Sequence, residues 1–166
     1  MLIFDSSTLI LTAKVELLDL FLSEIGMEVA IPRAVEEECC GGQKTIDALV
    51  IQKAVDESRI TVLSVRNRKL VLKLEQDFSM GRGESEAIAL ALQEKARLVG
   101  IDDKRGINAC KLTGVRFTTA MAILLRSRQK GLIDRSDALA RLSSLARHGR
   151  YKNSILDDAK RSLEEL

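Results

Sequence analysis

Four places in the chain set a carboxylate at a structural boundary: Asp5, Glu38, Glu84 and the pair Asp102-Asp103. Asp5 ends the apolar run Leu2-Ile3-Phe4 and is followed by the hydroxyls of Ser6 and Ser7, while Asp102 follows Leu98-Val99-Gly100-Ile101. A short apolar run ending in an acid reads as a buried parallel strand. The acid then sits at the carboxyl end, where open α/β sheets place their ligands. Glu38 lies in the helical stretch behind Pro32. Glu84 opens the helical stretch behind Gly83, where the helix dipole favours an anion. Acids gathered without basic partners raise one another's pKa, and a hard divalent cation relieves the repulsion. Mg²⁺ and Mn²⁺ prefer oxygen ligands and keep several waters. Two such ions about 3.5–4 Å apart can hold a phosphodiester, activate a water and stabilise the leaving oxygen. Ser6 and Ser7 would add a hydroxyl ligand or a hydrogen bond to Asp5. Glu86, two positions beyond Glu84, points elsewhere on the helix and has at most an outer, supporting place.

Each acid also has a plainer reading. Asp5 or Ser6 caps the helix that follows, Asp102 or Asp103 does the same for the next one, and Glu84 is favourable first-turn charge. Two of Glu36, Glu37 and Glu38 read best as a solvated helix face. Taken singly, capping and chemistry are evenly matched; four boundary acids in one chain favour a shared site.

The elements that must position these acids follow from periodicity. Helical stretches are expected from Ser7 to Ala13 and from Val15 to Ile25, the second closed by Gly26. Glu28 to Ile31 reads as a strand, Pro32 to Cys40 as a helix ended by Gly41-Gly42, and Thr45 to Glu57 as another helix. Ile60 to Val65 alternates and is rich in β-branched residues, which predicts a strand. A helix from Asn67 to Gln76 comes next, and Met80-Gly81-Arg82-Gly83 breaks the pattern before a helix from Glu84 to Lys95. Strands at Arg97–Ile101 and Val115–Thr118 flank a helix from Lys104 to Leu112. Three helices close the chain: Ala120–Lys130, Ser136–Arg147 and Ser154–Glu165. Strands alternating with helices imply a mostly parallel sheet covered on both faces.

Composition narrows the function classes. The chain has 166 residues, enough for one domain with a real core. Aromatic residues are only 3% with no Trp, so the core is aliphatic and base-stacking platforms are not expected. A formal charge of +2 does not by itself announce nucleic acid. Cys39, Cys40 and Cys110 cannot make a disulfide framework, and Cys39 and Cys40 read as small buried residues. The single histidine, His148, disfavours zinc sites and Ser-His-Asp or Cys-His hydrolases. The chain opens directly on a strand, so no signal peptide is expected, and no apolar run approaches the ~20 residues that span a bilayer. A cytoplasmic protein fits these features.

The ordered motifs resemble those of PIN-domain ribonucleases, in particular compact prokaryotic members related to the VapC toxins. Asp5-Ser6-Ser7-Thr8-Leu9-Ile10 is similar to the family's opening Asp motif, and Ile31-Pro32-x-x-Val35-x-x-Glu38 to its second, which singles out Glu38. The stretch Gly81-x-Gly83-Glu84-x-Glu86-Ala87-Ile88-Ala89-Leu90-Ala91 resembles the third, with Glu84 in the metal-site position. Leu98-Val99-Gly100-Ile101-Asp102-Asp103 resembles the fourth, although Gly100 stands where the family usually has Thr, so a hydroxyl is missing. Val115 to Gly131 is similar to the family's last strand and helix.

That resemblance implies a three-layer α/β/α fold with a mostly parallel four- to five-stranded sheet. It implies a nuclease domain over residues 1–131 and a C-terminal helical extension, 132–166, packing on it. It also implies a Mg²⁺- or Mn²⁺-dependent endoribonuclease site built from Asp5, Glu38, Glu84 and Asp102, with Asp103 as a further ligand if a turn lets it reach. The implied substrate is single-stranded RNA, the implied partner a small antitoxin protein, and the implied assembly a homodimer. RNA binding beside an acidic pocket needs positive charge. Arg82, Lys104 and Arg105 are the candidates because each adjoins an acid; Arg66, Arg68 and Lys69 read as solvated surface. Arg141, Arg147, His148, Arg150 and Lys152 gather around Gly149, in helices that could form a helix-turn-helix, cover a sheet edge or meet a partner. Two other functions stay open. Phe4-Asp5-Ser6-Ser7-Thr8 superficially resembles the nucleophile motif of HAD-type phosphatases, but Ser7 stands where their general-acid Asp would be. A PIN-like module that binds RNA or protein without cutting is the non-enzyme alternative.

Overall fold

Strands and helices alternate over the first 118 residues, and each return to the sheet is made through helices, so every strand pair is parallel. The computed structural model describes residues 1–42 and 45–166. Its elements are β1 (Leu2–Phe4), α1 (Ser6–Lys14), α2 (Leu18–Glu24), β2 (Val29–Pro32), α3 (Arg33–Cys40), α4 (Ile46–Asp56) and β3 (Thr61–Leu63). These are followed by α5 (Arg68–Phe78), α6 (Arg82–Gln93), β4 (Leu98–Gly100), α7 (Lys104–Thr113) and β5 (Phe117–Thr118). Three helices complete the chain: α8 (Ala120–Gln129), α9 (Arg135–His148) and α10 (Asn153–Glu165). The sheet has five strands in the order β3-β2-β1-β4-β5. Among the described residues no helix is long and apolar enough to cross a membrane.

Alternation along each short strand sorts the core into two layers. Leu2 and Phe4 of β1 and Val29 and Ile31 of β2 pack with α1, α4, α8, α9 and α10. Ile3 and Ala30 face the other way, with Val71 and Leu74 of α5, the Ala-Leu run of α6, and Ala109 and Cys110 of α7. The result is the three-layer α/β/α sandwich that the resemblance implies, with both sheet faces covered as parallel sheets require. Ile133, Ala138, Leu142, Leu145, Ala159 and Leu163 belong to the same buried cluster as Leu2, Phe4 and Leu9.

Several element boundaries differ from expectation by one to three residues, with Pro32 ending β2 instead of opening α3, and three of the shifts have a plain local reason. Helix α1 begins at Ser6 because Asp5 is its cap and accepts from Thr8 N–H at 2.7 Å. The second helix is only Leu18–Glu24, because Glu16 adopts a left-handed backbone (φ 57°) and turns the chain between α1 and α2. Helix α6 begins at Arg82, so Gly83 lies inside its first turn and Gly81 is the cap. The expected break at Met80–Gly83 therefore ends two residues early.

Gly100 shows why a hydroxyl residue is absent from the end of β4. A Cβ built there would stand 2.4 Å from Cδ1 of Phe4, whose ring is fully buried and packs edge-on against Phe21 at a centroid distance of 5.8 Å. Gly100→Ala is expected to destabilise the chain by about 1–3 kcal/mol through overpacking, although alanine normally suits a strand better than glycine. Equilibrium denaturation measures this; equal or greater stability of the variant would show that the ring moves freely aside.

Candidate functional site

The sheet order fixes where a site can form. Strands β2 and β3 lie on one side of β1, and the chain then crosses to β4 and β5 on the other. The carboxyl ends of β1 and β4 are thus a topological switch point, the crevice where open α/β sheets bind ligands. Asp5 and Asp102 follow these two strands, and Asp5 N–H donates to Gly100 O at 2.9 Å across the seam.

Asp5 is fully buried. Its Oδ1 accepts from Thr8 N–H, and its Oδ2 has no hydrogen-bond partner. Burial pushes its carboxyl up to about 7; Thr8, through its nearby hydroxyl and its bonded N–H, opposes the rise, and the charges of Asp102 and Glu84 add to it. Asp102 accepts from Ala120 N–H through Oδ2 (2.8 Å) and from the Tyr151 hydroxyl through Oδ1 (2.6 Å). Glu38 accepts from Gly83 N–H at 3.2 Å through Oε1 and from the Ser6 hydroxyl through Oε2. A Cβ at 83 would lie 2.7 and 2.8 Å from the Glu38 oxygens, so the glycine leaves the space that this carboxylate fills. Glu84 accepts from Gly81 N–H at 3.1 Å. Its carboxyl is raised by burial; the Gly81 bond and Arg105 oppose, while Asp103 and Glu38 add to the rise. Asp103 is exposed and caps α7, accepting from Arg105 N–H at 2.8 Å.

The acids therefore gather at one sheet edge, above which opens a cleft of about 880 Å³. Glu84, Asp102 and Asp103 line it together with Lys14, Lys104, Arg150 and Lys152. Among the described residues no three Asp, Glu, His or Cys side chains stand close enough to hold an ion as they lie. Repulsion between carboxylates without a counter-charge opposes their closer approach. The donor chemistry fits a hard divalent cation: oxygen ligands only, one of them the buried, unpartnered Oδ2 of Asp5.

A family model for the PIN domain matches residues 1–165. The chain belongs to the PIN-domain family. No curated protein matches it. PIN domains are typically nucleases, they bind nucleic acid, and they generally use divalent metal ions.

Some residues named from the PIN motifs do not join the cleft. Ser6 bonds Glu38 rather than Asp5, while Ser7 is exposed on the cleft wall. Glu86 is fully buried on another side of α6, where it accepts from Arg68 (2.6 Å), Arg82 (3.1 Å) and Ala34 N–H (3.3 Å). Burial works to raise its carboxyl, but the two guanidinium bonds and Ala34 win and hold it below the usual range. Arg82 is thereby engaged with Glu86, and with Glu37 at 3.4 Å, instead of facing the cleft. Adjacency in sequence to Glu84 misled here, because two steps along a helix rotate a side chain by roughly 200°. Lys104 lines the cleft; Arg105 donates to Ser79 O at 2.7 Å while its charge still reaches Glu84.

Sequence reasoning did not assign Tyr151 or Lys14 to the site, and left Arg150 and Lys152 without a role. The only signal for Arg150, Tyr151 and Lys152 was the Gly149-Arg150-Tyr151-Lys152 stretch, which holds the chain's one tyrosine, and Lys14 at the end of α1 had none. Burial and the Asp102 charge push that tyrosine's hydroxyl well up, so it stays a donor.

Asp5 sets the sign of a pH dependence. Its carboxyl titrates at about 7 when folded, against 3.8 ordinarily. Between those values the folded chain holds a proton that the unfolded chain releases, so stability falls as pH rises through the window. In metal-free buffer Asp5→Asn is expected to gain up to about 4 kcal/mol over wild type between about pH 4 and pH 8. Denaturation at a series of pH values tests this, and a flat difference would mean that Asp5 is solvated in solution.

Proposed function

We propose that the chain is a Mg²⁺- or Mn²⁺-dependent endoribonuclease that cuts single-stranded RNA. The observation that carries this reading is the unpartnered, buried Oδ2 of Asp5 among carboxylates beneath a cleft with a cationic rim. Asp5, Glu84 and Asp102 would hold the cation, with Glu38 and Asp103 beside them. The bound ion supplies the charge that activates a water and stabilises the leaving oxygen.

The chain's own groups prepare that chemistry. Thr8 N–H and the start of α1 fix Asp5, and Ser6 and Gly83 fix Glu38. The cations Lys14, Lys104, Arg150 and Lys152 stand where phosphates flanking the scissile bond would pass. With so few aromatic side chains, affinity rests on phosphate contacts rather than base stacking, which favours a substrate read through its backbone.

The narrower form of this reading is the toxin half of a VapC-like toxin–antitoxin pair, acting as a homodimer in the cytoplasm. A small neighbouring reading frame whose product binds and silences the chain would support it. The second reading is an inert PIN module that binds RNA or protein; it is favoured by the separation of the acids as they lie.

RNA cleavage is expected to require Mg²⁺ or Mn²⁺, to stop with chelator, and to disappear in Asp5→Asn and Asp102→Asn while RNA binding persists. Cleavage surviving in both variants would overturn the assignment, and wild type that binds RNA without ever cutting it would favour the inert module. Lys152→Ala is expected to weaken binding evenly across RNA sequences and to lower the salt-dependence slope by about 1. A sequence-selective loss would instead mean that Lys152 reads bases.

A further inference from the structure

Asp102 is the candidate ligand that the C-terminal helices reach. Ala120 N–H donates to its Oδ2 (2.8 Å), and the Tyr151 hydroxyl donates to its Oδ1 (2.6 Å). With one donor on each oxygen the plane of the carboxylate is fixed. Each oxygen keeps a further lone pair for a cation. Tyr151 lies in the loop between α9 and α10, and two features hold its ring in place. A Cβ at Gly149 would stand 2.3 Å from Cε2 of the ring, so the glycine leaves the space that the ring fills. The flanking helices are anchored by Leu142, Leu145, Ala159 and Leu163 in the main core cluster, against which Tyr151 also packs.

We propose that Tyr151 is a positioning residue that orients Asp102 toward Asp5 and the cation, making the loop 149–152 a working wall of the site. The inference rests on the metal-dependent reading above. Groups that hydrogen-bond a metal-ligating carboxylate typically matter 10- to 100-fold for metal affinity or activity.

The full chain is compared as wild type, Tyr151→Phe, Gly149→Ala and Asp102→Asn. Calorimetric titration with Mn²⁺ alone should show Kd rising about tenfold in Tyr151→Phe, with the unfolding midpoint unchanged. Gly149→Ala, which displaces the ring but keeps its hydroxyl, should lose affinity similarly and serves if the Phe variant folds poorly. The chain has one tyrosine and no tryptophan, so its intrinsic emission reports Tyr151 alone. A phenol donating to a carboxylate is quenched, so Asp102→Asn should brighten the emission in metal-free buffer. Unchanged emission in Asp102→Asn overturns the proposal, as does Mn²⁺ affinity in Tyr151→Phe equal to wild type, which would leave the tyrosine a packing role. Wild type that takes up no Mn²⁺ overturns both this inference and the nuclease reading. Normal uptake by wild type and Tyr151→Phe alike overturns this one only.

Discussion

The rest of the structure is arranged around a carboxylate buried with half of its hydrogen bonds missing. Asp5 lies in the seam of a parallel sheet, fully out of water, with one oxygen held by the first turn of α1 and the other unpartnered. An unpaired charge in such a place is costly, and the neutral form is favoured in response. The crossover to β4 then brings Asp102 beside it, and α6 brings Glu84, so the neighbours deepen the penalty instead of relieving it. Among the described residues only Arg105, acting on Glu84, sets a positive charge against these acids, and a hard divalent cation is the kind of group that relieves such repulsion.

The cations of the molecule are distributed accordingly. Arg82, near Glu84 in sequence, and Arg68 are engaged with Glu86, which joins the start of α3 to α5 and α6. In that cluster the carboxylate is buried and the two guanidiniums are about half exposed. Helix α6 presents Glu84 to the cleft and Glu86 to the opposite packing. The charges left facing the cleft come from three separate places: the end of α1, the start of α7 and the loop before α10. They line the same cleft as Glu84, Asp102 and Asp103, the arrangement that the proposed nuclease reading calls for.

The element order, both core layers and the four boundary acids were legible in the sequence because they rest on local patterns: apolar strands ending in acids, and helical periodicity between them. Capping and chemistry looked like rivals at Asp5, yet the geometry does not force a choice, since Oδ1 caps α1 and Oδ2 is left without a partner. What could not be read was long-range. The bond from Tyr151 to Asp102 spans 49 positions, and no spacing rule links a loop between two C-terminal helices to the end of β4. Arg82 failed for the opposite reason, since nearness along the chain said nothing about which face of α6 it would occupy.

Three glycines carry the remaining specification, and none of them does so through backbone freedom. Gly83, Gly100 and Gly149 all avoid the left-handed region, so an alanine could adopt each backbone. What each supplies is missing volume: at 83 for the Glu38 carboxylate, at 100 for the Phe4 ring, at 149 for the Tyr151 ring. Read as helix breakers or turn formers, they mark only where elements stop. Read as space, they show which side chains the fold must bring within contact: at 83 a candidate ligand itself, at 149 the tyrosine bonded to another. The departure from the family pattern at Gly100 is then a packing solution on the core side of β4, and it leaves the acids at the switch point as they are.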